Sequence, residues 1–333
     1  MGIKSVVVTG AGGFIGNHLV RYLLKKKYKV KALVKYNSKQ NAGWLEDFAY
    51  KKPKNLEIVY GDVTDFNFMK KTTKNYDSII NLAALISIPH SYSSPETYIS
   101  NNIEGTFNIL NVAKENKLKK IVIISTSEVY GSAQYIPIDE LHPLNAQSPY
   151  AASKIAADQL AMSFYRSFNL PVVIARPFNT FGPMQSTRAV IPSIIVQLAK
   201  NKKIINIGDT KPTRDFTYVE DTVAGLELIL KSSKYNGEVF NIGSNFEISI
   251  GEIINKIKKI TKLKFKIKIQ NKRLRPKKSE VTRLYASNKK IQKKLKWFPK
   301  YSGKKKFVIG LEKTINWYFN KNNLKLYKKN INY

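Results

Sequence analysis

Tyr150 and Lys154 stand four residues apart in Ser148-Pro149-Tyr150-Ala151-Ala152-Ser153-Lys154. On a helix, positions i and i+4 share one face. An ammonium beside a phenol favours the phenolate, so Lys154 is expected to lower the Tyr150 pKa from its usual value near ~10. Such a tyrosine can act as a base toward a hydroxyl near neutral pH. Upstream, Ser125-Thr126-Ser127-Glu128-Val129-Tyr130-Gly131 follows an apolar run and brings hydroxyls and a carboxylate together at its end. A third group stands near the start of the chain, in Thr9-Gly10-Ala11-Gly12-Gly13-Phe14-Ile15-Gly16. Gly10 permits a tight turn, Gly13 lets the backbone approach a diphosphate, and Gly16 allows close helix packing. A helix starting there offers free N–H groups and a partial positive charge to an anion. An ordinary strand-to-helix turn is the plainer alternative; the strand–loop–helix context favours a dinucleotide.

These residues need elements that hold them. Ser5–Thr9, 29–34, 56–60, 78–83, 121–125, 172–175 and 239–242 read as strands, most of them continuously apolar. Helical spacing covers 14–24, 98–115, 150–168, 250–260 and 302–319. Strands alternating with helices predict an α/β fold, a Rossmann-type doubly wound parallel sheet covered on both faces. Ligands bind at the carboxyl ends of such strands. Beyond Pro177 the rhythm loosens and a smaller C-terminal α/β lobe is expected. The division is 1–177 for dinucleotide binding, with a return segment near 214–245, 178–320 for a mainly substrate-binding lobe, and a polar, frayed tail at 321–333.

Composition narrows the classes. The chain has 333 residues, 43% of them hydrophobic, enough for a sizeable core, and no cysteine, which excludes disulfides, thiolate metal sites and cysteine nucleophiles. His18, His90 and His142 are isolated, without metal-ligand spacing, so no metal site is expected. Apolar runs are far too short to cross a bilayer, and the start enters a strand without a signal peptide, so a cytoplasmic protein is expected. The net charge is +34, but only eight of the 57 basic residues are arginine. Lysines scattered along the whole chain read as a loaded solvated surface, with 256–306 the densest stretch. No membrane and no specific nucleic acid is expected as partner.

The spacing of Gly10, Gly13 and Gly16, followed at the usual interval by Tyr150 and Lys154, resembles the extended short-chain dehydrogenase/reductases. That resemblance implies a tightly bound NAD(P)+ regenerated in each turnover, with Phe14, Ile15, Val63 and Ala83 also at the cofactor. It implies that Asp62, in Gly61-Asp62-Val63-Thr64-Asp65, bonds the adenine, and the same residue is also placed to cap the next helix. The second strand ends Val34-Lys35-Tyr36-Asn37, with no acid for a ribose hydroxyl, and Lys35 is compatible with a 2′-phosphate. NAD and NADP both stay open. The resemblance also implies that Thr126 bonds the 4-hydroxyl of a sugar.

Ser-Thr-Ser-Glu at 125–128 is similar to the motif of the nucleotide-sugar 4,6-dehydratases, in the GDP-mannose dehydratase variant; epimerases usually carry a small apolar residue at the place of Glu128. Once carbon 4 of a hexose is a ketone, its carbon 5 proton is acidic and needs a base, and the departing 6-hydroxyl needs a proton. Glu128 can do both. Ser127 stands where others have an aspartic acid, leaving Glu128 alone, or Glu128 with water held by Ser127, to protonate the leaving group. By the same resemblance Arg214 and Arg275 clamp the diphosphate, Asn179 faces the nucleotide-sugar phosphates, Glu280 holds the ribose, and Arg188 belongs to the substrate site. The segments 83–89, 125–135 and 273–281 look closest to the N-acetylglucosamine 4,6-dehydratases of legionaminic-acid biosynthesis. That places the loop from Ile86 to Tyr92 near the sugar. The paired helices 98–115 and 150–168 resemble those of homodimers in the superfamily.

The reading is an NAD(P)-dependent 4,6-dehydratase acting on UDP- or GDP-N-acetylglucosamine. Its nearest rival is a nucleotide-sugar 4-epimerase, which has no use for Glu128. A rival of another class is a non-catalytic, dinucleotide-sensing or RNA-binding protein.

Overall fold

In the computed structural model of the chain, residues 2–39 and 41–327 are described. Seven strands form one parallel sheet: β1 (Ser5–Thr9), β2 (Lys29–Lys35), β3 (Leu56–Gly61), β4 (Ser78–Asn81), β5 (Lys120–Ile124), β6 (Val172–Pro177) and, much later in the chain, β10 (Val239–Ile242), in the order β10-β6-β5-β4-β1-β2-β3. The order reverses beside β1, and the register pairs Val6 with Val30 on one side and with Ser78 on the other. Val6, Val7, Val8, Ile79, Ile80 and Ile121–Ile123 are wholly buried, which is why these strands carry apolar residues on both faces.

One face is covered by α1 (Phe14–Lys25), α9 (Val219–Lys231) and α11 (Lys289–Leu295), through Leu19, Leu23, Leu226, Leu230 and Ile291. The other is covered by α3 (Phe66–Thr73), α6 (Gly105–Glu115) and α7 (Pro149–Phe168), through Met69, Ile109, Ala113, Ala161 and Phe164. Short helices α2 (Glu46–Lys51), α4 (Ile88–Ser93) and α5 (Pro95–Tyr98) lie in the connections.

The smaller lobe has its own core around Phe181, Ile194, Phe216, Ile253, Phe307 and Leu311. It contains β7 (Asn179–Phe181), β9 (Thr213–Tyr218), β11 (Glu247–Ser249) and β13 (Arg283–Leu284) in one sheet, and β8 (Ile204–Ile207) with β12 (Lys266–Ile269) in another. Helices α8 (Val190–Ala199), α10 (Ile250–Thr261) and α12 (Gly303–Phe319) pack on these. The chain re-enters the first lobe through α9 and β10, so neither lobe is one continuous stretch.

Three expectations need correction. The helix expected over 98–115 is interrupted by a π-helical stretch, Ile99–Glu104. Within it, Asn102 turns its amide to the backbone of Leu85 and to Ser153 instead of packing along the helix. The segment from Ile86 to Tyr92, expected as a loop, enters α4 at Ile88, with Pro89 in its first turn. The tail expected to be frayed begins with a short helix, α13 (Lys321–Lys325), because the Asn320 side chain accepts from the N–H groups of Asn322 and Asn323. The rest of that tail, residues 328–333, lies outside the described residues.

Candidate active site

The glycine turn closes β1 onto α1. Gly10 sits at φ +63°, and a Cβ there would lie 2.9 Å from the backbone of Leu82 and Ala83. At Gly16 a Cβ would stand 2.2 Å from the Gly10 carbonyl oxygen, so the first turn of α1 presses on the loop in a way that only glycine allows. Gly13 is the N-cap and supplies no side chain, and no acid stands in the first turn. The N–H end of α1 is therefore left to an anion, as the diphosphate of a dinucleotide requires.

Thr9 fixes the neighbouring strand end. Its hydroxyl donates to Asn81 Oδ1 (2.7 Å) and accepts from Leu82 N (3.1 Å) and Ala83 N (3.0 Å). β4 thus stops at Asn81, two residues before its expected end, because the next two amides turn to a side chain. Asp62 accepts from both the amide and the hydroxyl of Thr64 (3.1 and 3.0 Å) and pairs with Lys35 Nζ at 3.2 Å. Burial raises the Asp62 pKa, but the Thr64 and Lys35 contacts outweigh it and hold the carboxyl below its ordinary value. Asp62 is not the cap of α3. That is Asp65, which accepts from Phe68 N at 2.9 Å. Val63 is buried beneath Gly105, where a Cβ would meet it at 2.7 Å. These contacts make a cradle that fits a dinucleotide.

At the end of β5 the chain is read in step by one face of α7. The Lys154 ammonium donates to the Ile124 carbonyl at 2.6 Å. The Ser125 hydroxyl donates to Asp158 Oδ2 at 2.8 Å. The Thr126 hydroxyl accepts from Glu128 N at 3.2 Å and lies close enough to Tyr150 to favour its phenolate. Glu128 lies on the 3-10 turn Ser127–Tyr130, in which Ser127 is buried. Ser148 caps α7 through Ala151 N (3.1 Å), and Pro149 opens its first turn.

The expectation that Lys154 lowers the Tyr150 pKa is corrected here. Burial pushes the phenol up; the neighbouring Thr126 hydroxyl opposes this, while the negative side chain of Glu128 adds to it. Lys154, also buried, is itself pushed down to about 8 by desolvation, with the Asp158 charge resisting. The ammonium donates to the Ile124 carbonyl and not to the phenol, so any support it gives the phenolate acts through its charge.

Four charged groups from distant parts of the chain converge beside this pair. Arg275 Nη1 reaches Glu128 Oε2 at 3.5 Å, and Arg214 Nη2 reaches Glu280 Oε1 at 3.3 Å. Desolvation lowers the Arg214 pKa; the charges of Glu128 and Glu280 support its cationic form, against that of Arg275. Asn179 has a buried Oδ1 without a hydrogen-bond partner among the described residues. Arg188 stands apart, exposed, with its Nε on Ser186, although its charge bears on Tyr98. Ile86 is 66% exposed at the approach to α4.

Several positioning residues escaped the sequence reading. Asn102 links Leu85 to Ser153, whose hydroxyl donates to the Tyr150 carbonyl (2.8 Å). The Tyr98 ring packs edge-on against Tyr150 at 6.2 Å. Ser279 bonds Tyr92 (2.6 Å) and the Gln147 carbonyl (2.5 Å), strapping the segment that carries Arg275 and Glu280 across to α4 and the entry of α7. None belongs to a spaced motif, so no signal in the sequence marks them.

A sequence profile described as GDP-mannose 4,6 dehydratase matches residues 7–307. A dTDP-D-glucose 4,6-dehydratase of Dictyostelium discoideum is 36% identical over 77% of this chain, the match spanning 62% of that protein's length. The dTDP-D-glucose 4,6-dehydratase of Homo sapiens is 32% identical over 95% of the chain and 90% of its own. Among solved structures, the dTDP-glucose 4,6-dehydratase DesIV of Streptomyces venezuelae, crystallised with NAD bound, superposes with a TM-score of 0.85 at 28% identity, covering 95% of this chain and 97% of that one. The UDP-N-acetylglucosamine 4-epimerase of Methanobrevibacter ruminantium M1 superposes equally well, TM-score 0.85, at 31% identity over 96% of this chain and all of its own.

Proposed function

The chain belongs to the GDP-mannose 4,6-dehydratase family of NAD(P)-dependent nucleotide-sugar dehydratases and epimerases, and on that premise we propose that it dehydrates a nucleotide-linked hexose across carbons 5 and 6. The observation that carries this reading is Glu128. Glu128 follows β5 by four residues, its amide donates to the Thr126 hydroxyl, and its carboxylate is held by Arg275.

When bound, NAD(P)+ accepts a hydride from carbon 4 and returns one to carbon 6. The glycine turn, the N-terminus of α1, Asp62 and Lys35 would hold it. Tyr150 takes the 4-hydroxyl proton, with Thr126 as its hydrogen-bond partner on the sugar side. The carbon 4 ketone acidifies carbon 5, and Glu128 removes that proton. The carboxylic acid so formed gives the proton to the 6-hydroxyl, which leaves as water; when hydride is returned to carbon 6, carbon 5 takes up a proton from solvent, matching the one that Tyr150 gives back. Arg214, Arg275 and Asn179 bind the diphosphate, and Glu280 the ribose; diphosphate binding would compete with the two carboxylates for the same guanidinium groups.

For the sugar, we favour N-acetylglucosamine carried on UDP or GDP, a substrate that would feed legionaminic-acid synthesis. Support comes from the resemblance of 83–89 and 273–281 to such enzymes and from the exposed Ile86 beside α4. Exposed Ile99, Phe107 and Phe168 on the π-helical stretch, α6 and α7 support a homodimer through these helices. Among the described residues no helix is long and apolar enough to cross a membrane, and we take the enzyme to be cytoplasmic.

The epimerase reading is favoured by the superposition of 4-epimerases, which is as good as that of DesIV. Mass spectrometry after incubation with UDP-N-acetylglucosamine, GDP-mannose, UDP-glucose and dTDP-glucose separates the two. A product lighter by one water supports dehydration. Unchanged mass with an inverted carbon 4 overturns it in favour of epimerisation.

A further inference from the structure

Behind Tyr150 and Lys154 lies a buried carboxylate that the proposed chemistry does not use. Tyr150, Lys154 and Asp158 occupy successive turns of one face of α7, and each is under 7% exposed. Asp158 Oδ2 accepts from Ser125 Oγ (2.8 Å), Arg176 Nε (3.1 Å) and Arg176 Nη2 (3.0 Å). Its Oδ1 has no hydrogen-bond partner among the described residues. Arg176 continues to Tyr130 Oη (3.0 Å), which donates to Asn241 Oδ1 (2.7 Å) on β10. An arginine bonded through all three of its nitrogens and a serine thus fix the acid from behind, and one carboxylate oxygen is left uncommitted one turn from the lysine.

Two cations, Lys154 and Arg176, are buried here, and Asp158 is the anion on the same helix face. The ionisable groups packed about this end of α7 are Tyr150 and Asp158 on the helix itself, Arg176 from β6, Glu128 and Tyr130 from the 3-10 turn, and Tyr98 from α5. Among these acids and phenols, Asp158 bears on the protonation of Lys154, through its charge and against desolvation. An isolated buried ammonium gives up its proton; one beside a fixed carboxylate keeps it.

We propose that Asp158 is a positioning residue of the catalytic pair: anchored by Ser125 and Arg176, its carboxylate keeps Lys154 in the ammonium form beside Tyr150. The role rests on the reading of Tyr150 and Lys154 as the dehydrogenating pair, which dehydratase and epimerase share. Asp158 touches neither sugar nor cofactor in this scheme. It acts through Lys154 alone.

The test is the pH dependence of cofactor reduction in wild type and Asp158→Asn, with dTDP-glucose and UDP-N-acetylglucosamine as probes. Asparagine keeps the size and the acceptor but removes the charge. The alkaline limb is expected to move toward acid by about one pH unit, and Asp158→Glu to restore it. A lower rate with unmoved limbs overturns the proposal. A second measurement needs no turnover: urea denaturation from about pH 6 to about pH 10. The deficit of Asp158→Asn should shrink as pH rises, because an ammonium without its anion is relieved on losing its proton; a constant deficit overturns the role. Should the single variant fail to fold, Asp158→Asn/Arg176→Gln leaves no unpaired guanidinium and carries the same expectations. Tyr150→Phe tests the underlying reading separately. Oxidation that survives it removes both claims, whereas unmoved limbs in Asp158→Asn remove the role of Asp158 only.

Discussion

Strand β5 has a buried lysine at each end. At its start, Lys120 is 1% exposed, and its ammonium donates to Asn236 Oδ1 (2.6 Å) and the Lys234 carbonyl (3.3 Å). At its finish, Lys154 donates to the Ile124 carbonyl. Burial pushes both down to about 8. The shared shift conceals different surroundings. Lys120 meets neutral oxygens and tethers the turn that leads into β10. Lys154 has a phenol one turn before it and a fixed carboxylate one turn after it. A perturbed lysine is thus no mark of function until its neighbours are named, and the carboxyl ends of the strands are where neighbours able to do chemistry gather.

The largest expected effect breaks this symmetry. Tyr150→Phe and Lys154→Met should each lower cofactor reduction by ~10²–10⁴-fold, whereas Lys120→Met should change it by less than about twofold. Stopped-flow absorbance of the reduced nicotinamide measures all three. Equal losses at both lysines would mean that β5 transmits strain and that the contrast is false. Next comes Glu128→Gln, which should lower loss of water by ~10²-fold or more while carbon 4 oxidation continues, so reduced cofactor accumulates. A product still lighter by one water, at the normal rate, would remove Glu128 from the chemistry. Smaller again is Gly16→Ala. Its Cβ would meet the Gly10 carbonyl at 2.2 Å, and the glycine turn must shift. Retention of NAD in equilibrium dialysis should weaken by about tenfold, a loss of about 1.4 kcal/mol.

The same contrast explains what the sequence made legible. The strand–helix alternation, the glycine turn and the pair Tyr150–Lys154 are local: each is a few consecutive residues whose types state their geometry. The convergence of Arg214, Arg275 and Glu280 on Glu128 needed a family resemblance, because these residues lie more than eighty positions from it. The raised phenol was misjudged because spacing along a helix reports which side chains share a face, not where an ammonium directs its hydrogens. Asn102, Ser279 and Asp158 belong to networks between elements, and a single chain carries no mark of these. Lys120 reads as one more lysine among 49, and only burial sets it apart.

The smallest effect sharpens the comparison at that lysine. In the unfolded chain a lysine titrates at 10.5, and in the folded protein Lys120 does so near 8. Between these values the unfolded state binds more protons, so the folded state gains stability as pH rises through the window. Below pH 8 the full cost of holding the charge inside is present. Lys120→Met removes it but leaves Asn236 and the Lys234 carbonyl without their donor, so the net gain at neutral pH is about 1 kcal/mol. Urea denaturation should show that gain near neutrality and its disappearance as pH climbs, with stability turning to a deficit once the native lysine is neutral and still hydrogen-bonded. Lys154→Met, measured in the same way, should gain less at neutral pH, because it takes from the buried Asp158 one of the two cations that act on it. Identical curves for the two substitutions would mean that the carboxylate one turn away does nothing for Lys154, and the two ends of β5 would then differ only in what happens to pass by them.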